Sequence, residues 1–292
     1  MKIKIKCLSM LLSSIILFSS CSSETKSDFV YKSIDENTCE ITGLRQDSTY
    51  KNSEEIEIPK YISENKKVIS VSGFSENQTI KKIILPKCLS TIKKEAFSSS
   101  TSLKNVYFYK NCNLKTIEDN AFYGCKSLKG MRFPTSLETI GNNAFYGCTT
   151  ITSLTIPDSL ISLGENSFTG CTNLENLTIG TGIDKMIDCF NNIDWLESIE
   201  IPGNVKTFKD FSNCPRLESI SLAEGVEEIL SGAMSSNKSL RYVYIPKSVK
   251  TFETGVFEGC SKDLTIYCGA THKPSTWSKQ WNENGYEVHW AE

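Results

Sequence analysis

The sequence repeats itself about every 23 residues over most of its length, and this periodicity limits the folds open to it. Two successive copies begin with Phe145-Tyr-Gly-Cys148 and Phe168-Thr-Gly-Cys171. The phenylalanine of the other copies is Phe74, Phe97, Phe122, Phe145, Phe168, Phe190, Phe211 or Phe257, and Met234 occupies this position in the remaining copy. One such turn cannot bury its own apolar face, so the period predicts a stack of about nine turns around a continuous core.

Each copy also contains a strand-like segment, Leu-x-x-(Leu/Ile/Val)-x-(Ile/Leu/Phe)-Pro, as in residues 128–134, 196–202 and 240–246. Its apolar and polar positions alternate, which indicates a strand with one buried face. Proline cannot donate a hydrogen bond to a ladder, so it is expected to end each strand. A glycine precedes the cysteine of several copies, where a tight turn should need a positive φ angle: Gly124, Gly147, Gly170 and Gly259.

A column of cysteines recurs once per turn at Cys125, Cys148, Cys171, Cys214 and Cys260. A metal or disulfide site is one interpretation, but one residue per turn at constant register is not a chelating cluster. Buried thiols that act as small hydrophobic side chains are the favoured interpretation. Disulfides elsewhere, for example at Cys39 or Cys268, remain open in an exported protein.

The motifs Ala121-Phe122-Tyr-Gly-Cys125 and Ala144-Phe145-Tyr-Gly-Cys148, with Leu137-Glu-Thr-Ile140-Gly141 between them, resemble the BspA-like leucine-rich repeats of bacterial surface proteins. The resemblance covers roughly residues 39–290. It implies a leucine-rich-repeat solenoid of the α/β class, mostly parallel β with short helical turns, and adhesion to host proteins or to other bacteria. The turns of Phe190 and Phe211 depart from the pattern, because Cys189 replaces the alanine and the Ile-Gly pair is lost.

The N-terminus predicts export. Lys2, Lys4 and Lys6 precede an apolar segment from Cys7 to Phe18, as in a secretory signal. This segment is too short to span a bilayer, which needs about 20 residues. The following Ser19-Ser20-Cys21 resembles a bacterial lipobox, so Cys21 would carry lipid; the alternative is an ordinary signal with Cys21 free.

The resulting domain prediction has five segments in chain order. It comprises a signal peptide at 1–20, a polar tether at 21–28, an N-terminal cap at 29–72, leucine-rich repeats at 73–268 and a C-terminal cap at 269–292. Caps are expected because the open ends of a solenoid expose strand edges and apolar side chains.

Charge is unevenly distributed along the chain. Residues 81–115 carry 8 basic and 1 acidic side chains, whereas residues 116–292 carry 14 basic and 22 acidic ones. The position after the first leucine of each strand segment shows the same trend, reading Lys81, Lys104, Lys129, Thr152, Glu175, Glu197, Glu218 and Arg241. Stacked like charges repel, so stability alone would not favour this column. A bipolar surface for a charged partner is one interpretation, and a drift of solvated residues is the other.

A second exposed strand position carries residue types that are enriched at binding hot spots. The candidates for contacts are Tyr107, Tyr109, Arg132, Arg241, Tyr242 and Tyr244. The alternative is that strand surfaces favour tyrosine in any case.

No phosphate-binding loop, nucleophile elbow or zinc-protease motif occurs in the sequence. We therefore expect no catalytic site, no cofactor and no metal, and the net charge of −2 does not favour nucleic acid. The predicted function is non-catalytic recognition of host extracellular-matrix or bacterial surface proteins by a lipid-anchored envelope protein. Capture of glycans for uptake and a structural envelope spacer are the alternatives.

Overall fold

The structure is a computed structural model that describes residues 27–62 and 65–292. Its strands, numbered in chain order, form two parallel ladders on a β-solenoid of about ten turns. Ladder A, formed by the Leu-x-x-Leu segments, consists of β3 (Glu55–Glu57), β6 (Lys82–Leu85), β8 (Asn105–Phe108), β11 (Ser153–Thr155), β13 (Asn176–Thr178), β15 (Ser198–Ile201), β17 (Ser219–Leu222), β19 (Tyr242–Ile245), β21 (Thr265–Cys268) and β22 (Glu287–Trp290).

Ladder B runs along a second side of the solenoid and was not predicted from the sequence. Most of its strands are only two or three residues long, too short for an alternating pattern to reveal them. It consists of β2 (Thr38–Leu44), β5 (Lys66–Val71), β7 (Thr91–Ile92), β9 (Thr116–Ile117), β10 (Thr139–Ile140), β12 (Ser162–Leu163), β14 (Lys185–Ile187), β16 (Thr207–Lys209), β18 (Glu228–Ile229) and β20 (Thr251–Phe252).

The N-terminal end carries the antiparallel pairs. Strand β1 (Phe29–Ser33) pairs antiparallel with β2, and β4 (Tyr61–Ile62) pairs antiparallel with β5. Strands β2 and β5 are also parallel neighbours, and β3 is parallel to β6. The stretch assigned to the cap therefore contributes strands that continue both ladders.

Ladder A is interrupted twice. It divides into the sheets β3-β6-β8, β11-β13 and β15-β17-β19-β21-β22. The strand predicted in residues 128–134 does not form, and that prediction was wrong. Gly130 lies in this turn with φ of 113°, which is not an extended conformation and breaks the ladder. The strands predicted in residues 196–202 and 240–246 are present as β15 and β19.

A column of stacked phenylalanine rings fills the core. Successive rings from Phe74 to Phe211 are nearly parallel, with centroids 5.0–5.7 Å apart. Each ring packs on its equivalent one turn away, so the sequence repeat becomes a continuous buried column. The stack ends at Met234 because this side chain has no ring.

Cys125, Cys148, Cys171 and Cys214 of the cysteine column are buried, as predicted, whereas Cys260 is only partly buried. The ten cysteines of the described residues are free thiols. Cys125 Sγ lies 3.0 Å from the carbonyl oxygen of Phe97, and Cys148 Sγ lies 3.2 Å from that of Phe122. Each thiol thus contacts the phenylalanine one turn earlier. Burial raises the pKa of Cys125 to about 12, so it remains a neutral thiol at physiological pH.

The corner after each phenylalanine is a tight turn. Gly124, Gly147, Gly170 and Gly259 have φ between 65° and 75°, which confirms the predicted left-handed conformation. These corners are non-helical turns, so the short helical turns implied by the family resemblance do not form there.

The irregular turns are held by two buried polar side chains. Asp210, in place of the usual alanine, accepts backbone hydrogen bonds from Cys189 (2.9 Å), Phe190 (2.6 Å) and Phe211 (3.0 Å). In regular turns the phenylalanine N–H donates to a carbonyl of the next turn instead, as from Phe145 to Ser167. The carboxylate therefore replaces a backbone acceptor where the repeat is short.

Asn237 has a comparable role one turn further on. Its amide donates to the carbonyl oxygens of Phe211 (2.8 Å) and Met234 (2.9 Å), and its Oδ1 accepts from the backbone N–H of Cys214 (2.7 Å). The side chain is fully buried, and its three hydrogen bonds satisfy the buried carbonyl groups of Phe211 and Met234 and the N–H of Cys214.

Aromatic residues close the C-terminal end. Trp277 and Trp281 are buried and pack on each other and on Phe252. The indole N–H of Trp277 donates to the carbonyl oxygen of Val249 at 2.9 Å. The two rings cover the last apolar layer of the solenoid.

Candidate recognition surface

The outward surface of ladder A, termed face A, carries the charged column noted in the sequence. Backbone hydrogen bonds join Lys104 to Lys81 (2.8 Å) and Lys129 to Lys104 (3.1 Å), so these lysines lie on adjacent turns. In the same way the backbone N–H of Glu218 donates a hydrogen bond to the carbonyl oxygen of Glu197 at 2.8 Å, so these glutamates also lie on adjacent turns. The sequence column is therefore a physical column of neighbouring side chains.

Most charges of this column have no ionic partner within the described part of the chain. Lys81 is an exception, because it pairs with Glu54 at the N-terminal end. The exposed side chains of the column without an ion pair are Lys104, Lys129, Glu175, Glu197, Glu218 and Arg241, and on face A the exposed Arg132 and Glu200 also lack one.

The outward surface of ladder B, termed face B, is arranged differently. Lysines on one turn pair with carboxylates on the next, as in Lys209 with Asp188 at 2.7 Å and Lys250 with Glu227 at 2.6 Å. The other pairs across turns are Lys93–Glu118, Lys115–Glu138 and Lys206–Glu227. The charges of these pairs on face B thus neutralise each other, although the exposed Lys185 and Glu228 of the same ladder have no ion pair in the described residues. On face A beyond its first strands the charged side chains named above are unpaired.

The N-terminal tyrosine candidates are held by neighbouring side chains. Tyr107 is exposed, and the Lys82 ammonium lies 5.5 Å from its ring centroid. Tyr109 donates a 2.5 Å hydrogen bond to Glu57, which raises the pKa of the tyrosine. Tyr109 also lines a surface cavity of about 450 Å³ together with Lys60.

The C-terminal candidates Tyr242 and Tyr244 lie on β19 and are exposed. In the ladder Tyr244 pairs with Tyr267 of β21, which in turn pairs with His289 of β22. Tyr267 is 41% exposed and was not among the predicted site residues. The sequence could have indicated Tyr267 as a site residue, because it occupies the same position of its repeat as Tyr244.

A second feature was missed by the sequence analysis. Trp195 is 43% exposed, and the Arg216 guanidinium lies 3.7 Å from its ring centroid. Trp and Arg are both enriched at interface hot spots. The sequence could have indicated this pair, because Trp195 lies outside the C-terminal cap and only two residues before Glu197 of the charged column.

Cys21, the predicted lipidation site, lies outside the described residues. No helix in residues 27–62 and 65–292 is long and apolar enough to cross a membrane. The same residues contain no group of three or more His, Cys, Asp or Glu side chains placed to hold a metal ion.

The two ladders, the phenylalanine column and the repeated turns define a leucine-rich-repeat β-solenoid. A family profile described as a BspA type leucine-rich repeat region matches in six copies, over residues 33–151, 109–210 and 138–263. The chain belongs to this family. No curated relative matches the sequence.

Solved structures share the fold. A leucine-rich repeat protein from Bacteroides ovatus ATCC 8483 is 25% identical, with a TM-score of 0.74, and the match covers 93% of this chain and 72% of that one. The T. pallidum leucine-rich repeat protein is 23% identical, with a TM-score of 0.53, and the match covers 73% of this chain and 90% of that one.

Proposed function

We propose that this protein is a non-catalytic recognition protein of the bacterial envelope that binds protein partners through face A. The observation that carries the proposal is the electrostatic difference between the two faces. Five face B lysines are paired with carboxylates of neighbouring turns, whereas Lys104, Lys129 and Arg132 on face A have no ion pair in the described chain.

Charges without partners on one face are expected where a binding partner supplies the opposite charge. Such charges accelerate association and select partners more than they stabilise the fold. The basic column is followed by the acidic column of Glu175, Glu197 and Glu218, so the surface favours a partner with both acidic and basic patches.

The N-terminal sequence supports attachment to the envelope. The lysine-rich start, the short apolar segment and Cys21 match a lipoprotein signal, and several acyl chains would hold the protein at a membrane. Membership in the BspA-type family supports adhesion as the role, with host extracellular-matrix proteins or surface proteins of other bacteria as the partners.

The test compares two variants that remove equal charge from the two faces. The face A variant combines Lys104→Gln, Lys129→Gln and Arg132→Gln. Full-length protein in detergent is applied to immobilised matrix proteins and bacterial surface extracts, at low and at physiological salt. We expect the face A variant to bind at least about tenfold more weakly and to lose most of its salt dependence.

The face B variant combines Lys115→Gln, Lys206→Gln and Lys250→Gln, which changes the net charge by the same amount. It should bind within about twofold of the wild-type protein, because those lysines act only within the chain. Equal losses in both variants would show that binding follows net charge and not face A. An absence of protein binding in all conditions would favour the envelope spacer.

A further inference from the structure

Face A contains a second feature that the charged column does not explain. Near the C-terminal end an open trough of about 400 Å³ crosses strands β15, β17, β19 and β21. This volume falls in the range of small-molecule sites. The residues that line it include Glu200, Ser219, Ser221, Tyr242, Tyr244 and Tyr267.

The ladder register places these side chains in order across the trough. Ser219 lies beside Tyr242, and Ser221 lies between Glu200 and Tyr244. The small serines therefore form the floor, the tyrosines form one wall, and the carboxylate stands on the other side. Neighbouring strands are about 4.8 Å apart, so about 10 Å separates the Glu200 strand from the Tyr244 strand.

Contacts within the chain hold two of the tyrosine rings. Tyr267 stacks on His289, with centroids 5.1 Å apart and an interplanar angle of 15°. The Tyr244 hydroxyl lies against Gly269, where an added Cβ atom would be only 2.8 Å from it. Rings already fixed before binding lose little conformational entropy when a ligand arrives.

The composition of the trough matches the chemistry of a sugar. Tyrosine rings offer electron-rich faces to the polarised C–H groups of a sugar ring, and serine hydroxyls and a carboxylate accept hydrogen bonds from sugar hydroxyls. Glu200 has no ion pair in the described residues. Its carboxylate lines the trough and disfavours acidic sugars there.

A peptide fits the trough less well. Strands β17 and β19 are hydrogen-bonded to neighbours on both sides, so no free edge at the centre of the trough can receive an added strand. The floor is made of serines and offers no deep apolar pocket for an anchoring side chain. We propose that this trough binds a neutral oligosaccharide, at a site separate from the charged column.

The test measures binding of cellotriose, maltotriose and tri-N-acetylchitotriose to the full-length protein by calorimetry, with trigalacturonate as the acidic comparison. We expect at least one neutral trisaccharide to bind more tightly than trigalacturonate. Tyr244→Ala and Tyr267→Ala should each weaken that binding at least about tenfold, whereas Tyr244→Phe and Tyr267→Phe should stay within about threefold.

Two further variants serve as controls. One tests the position of the Tyr244 ring, and the other tests whether the loss of any exposed tyrosine weakens binding. Gly269→Ala should weaken binding because the new methyl group displaces the Tyr244 ring. Tyr123→Ala should have no effect, since Tyr123 is an exposed tyrosine that stacks on Tyr146 outside the trough. Thermal midpoints of all variants establish that the fold is intact.

The outcomes separate this proposal from the proposed protein binding. The variant of Lys104, Lys129 and Arg132 should leave trisaccharide binding unchanged, because it shares no residue with the trough. The oligosaccharide proposal is overturned if no neutral trisaccharide binds at about 10 mM, or if binding does not depend on Tyr244 and Tyr267. It is also overturned if those alanine variants abolish binding of a protein while no sugar binds.

Discussion

The buried carboxylate of Asp210 makes the stability of this solenoid depend on pH in a defined direction. Its side chain is 1% exposed, and it contacts the backbone of two successive turns. Burial raises the pKa of Asp210 to about 7, although three backbone N–H groups donate to it and oppose the shift. The Asp188 carboxylate, paired with Lys209 nearby, adds a smaller increase.

The direction of this pH dependence follows from the different pKa values of Asp210 in the folded and unfolded chains. Below the ordinary aspartate pKa of 3.8 both forms are protonated, so Asp210 adds no pH dependence. Between about pH 4 and pH 7 the folded chain keeps a proton that the unfolded chain has released, so the free energy of unfolding falls as pH rises. Above about pH 7 both forms are ionised and the dependence ends.

Over the whole titration range, the difference between the folded and unfolded pKa values of Asp210 changes the free energy of unfolding by about 4 kcal/mol. About 2–3 kcal/mol of this change falls between pH 5 and pH 8. Asp210→Asn removes the titration but loses one hydrogen bond, because an amide N–H₂ would face the N–H of Cys189. Burial raises the pKa of Cys189 well above its usual value, so its thiol does not titrate in this range.

The assay is urea unfolding of the wild-type protein and Asp210→Asn, followed by circular dichroism at several pH values from about 5 to 8. We expect the stability difference between the two proteins to change by about 2–3 kcal/mol across this range. Asn237→Ala, which removes a buried but uncharged capping side chain, should lower stability equally at every pH. Parallel curves for wild type and Asp210→Asn, within about 0.5 kcal/mol, would refute the reasoning.

Two further predictions concern the core and face A. Leu154 on β11 is 3% exposed, so Leu154→Ala should lower the free energy of unfolding by about 2–5 kcal/mol in denaturant titrations; a cost near zero would contradict the ladder register. Replacing Glu175, Glu197 and Glu218 by glutamine in one variant should leave the thermal midpoint unchanged or raise it, because the repulsion between like charges on neighbouring turns is removed. A clear drop in the midpoint would contradict the repulsion argument.

Some features of the fold could be predicted from the sequence because they depend on local periodicity. The interval between Phe145 and Phe168 predicted the stacking, and the Gly147 position predicted a left-handed turn. Ladder B was missed because a strand such as Thr139–Ile140 has only two residues. The break at Gly130 was missed because its neighbours keep the apolar pattern of a strand.

The candidate site was predicted only in part, for a related reason. Tyr242 and Tyr244 could be assigned to an exposed strand surface from their register, but the trough that they form with Ser219 and Ser221 depends on four strands brought together by stacking. The stacking of Tyr267 on His289 likewise joins residues from two turns.

The sequence by itself determined the repeat period, the buried column of phenylalanines and thiols, and the charged column along one face. Only the tertiary structure decided which charges are neutralised, since pairs such as Lys115 with Glu138 depend on which side of a turn each side chain occupies. It also decided that Asp210 replaces a backbone acceptor. Both depend on contacts between residues about one turn apart, which a solenoid creates only when its turns stack.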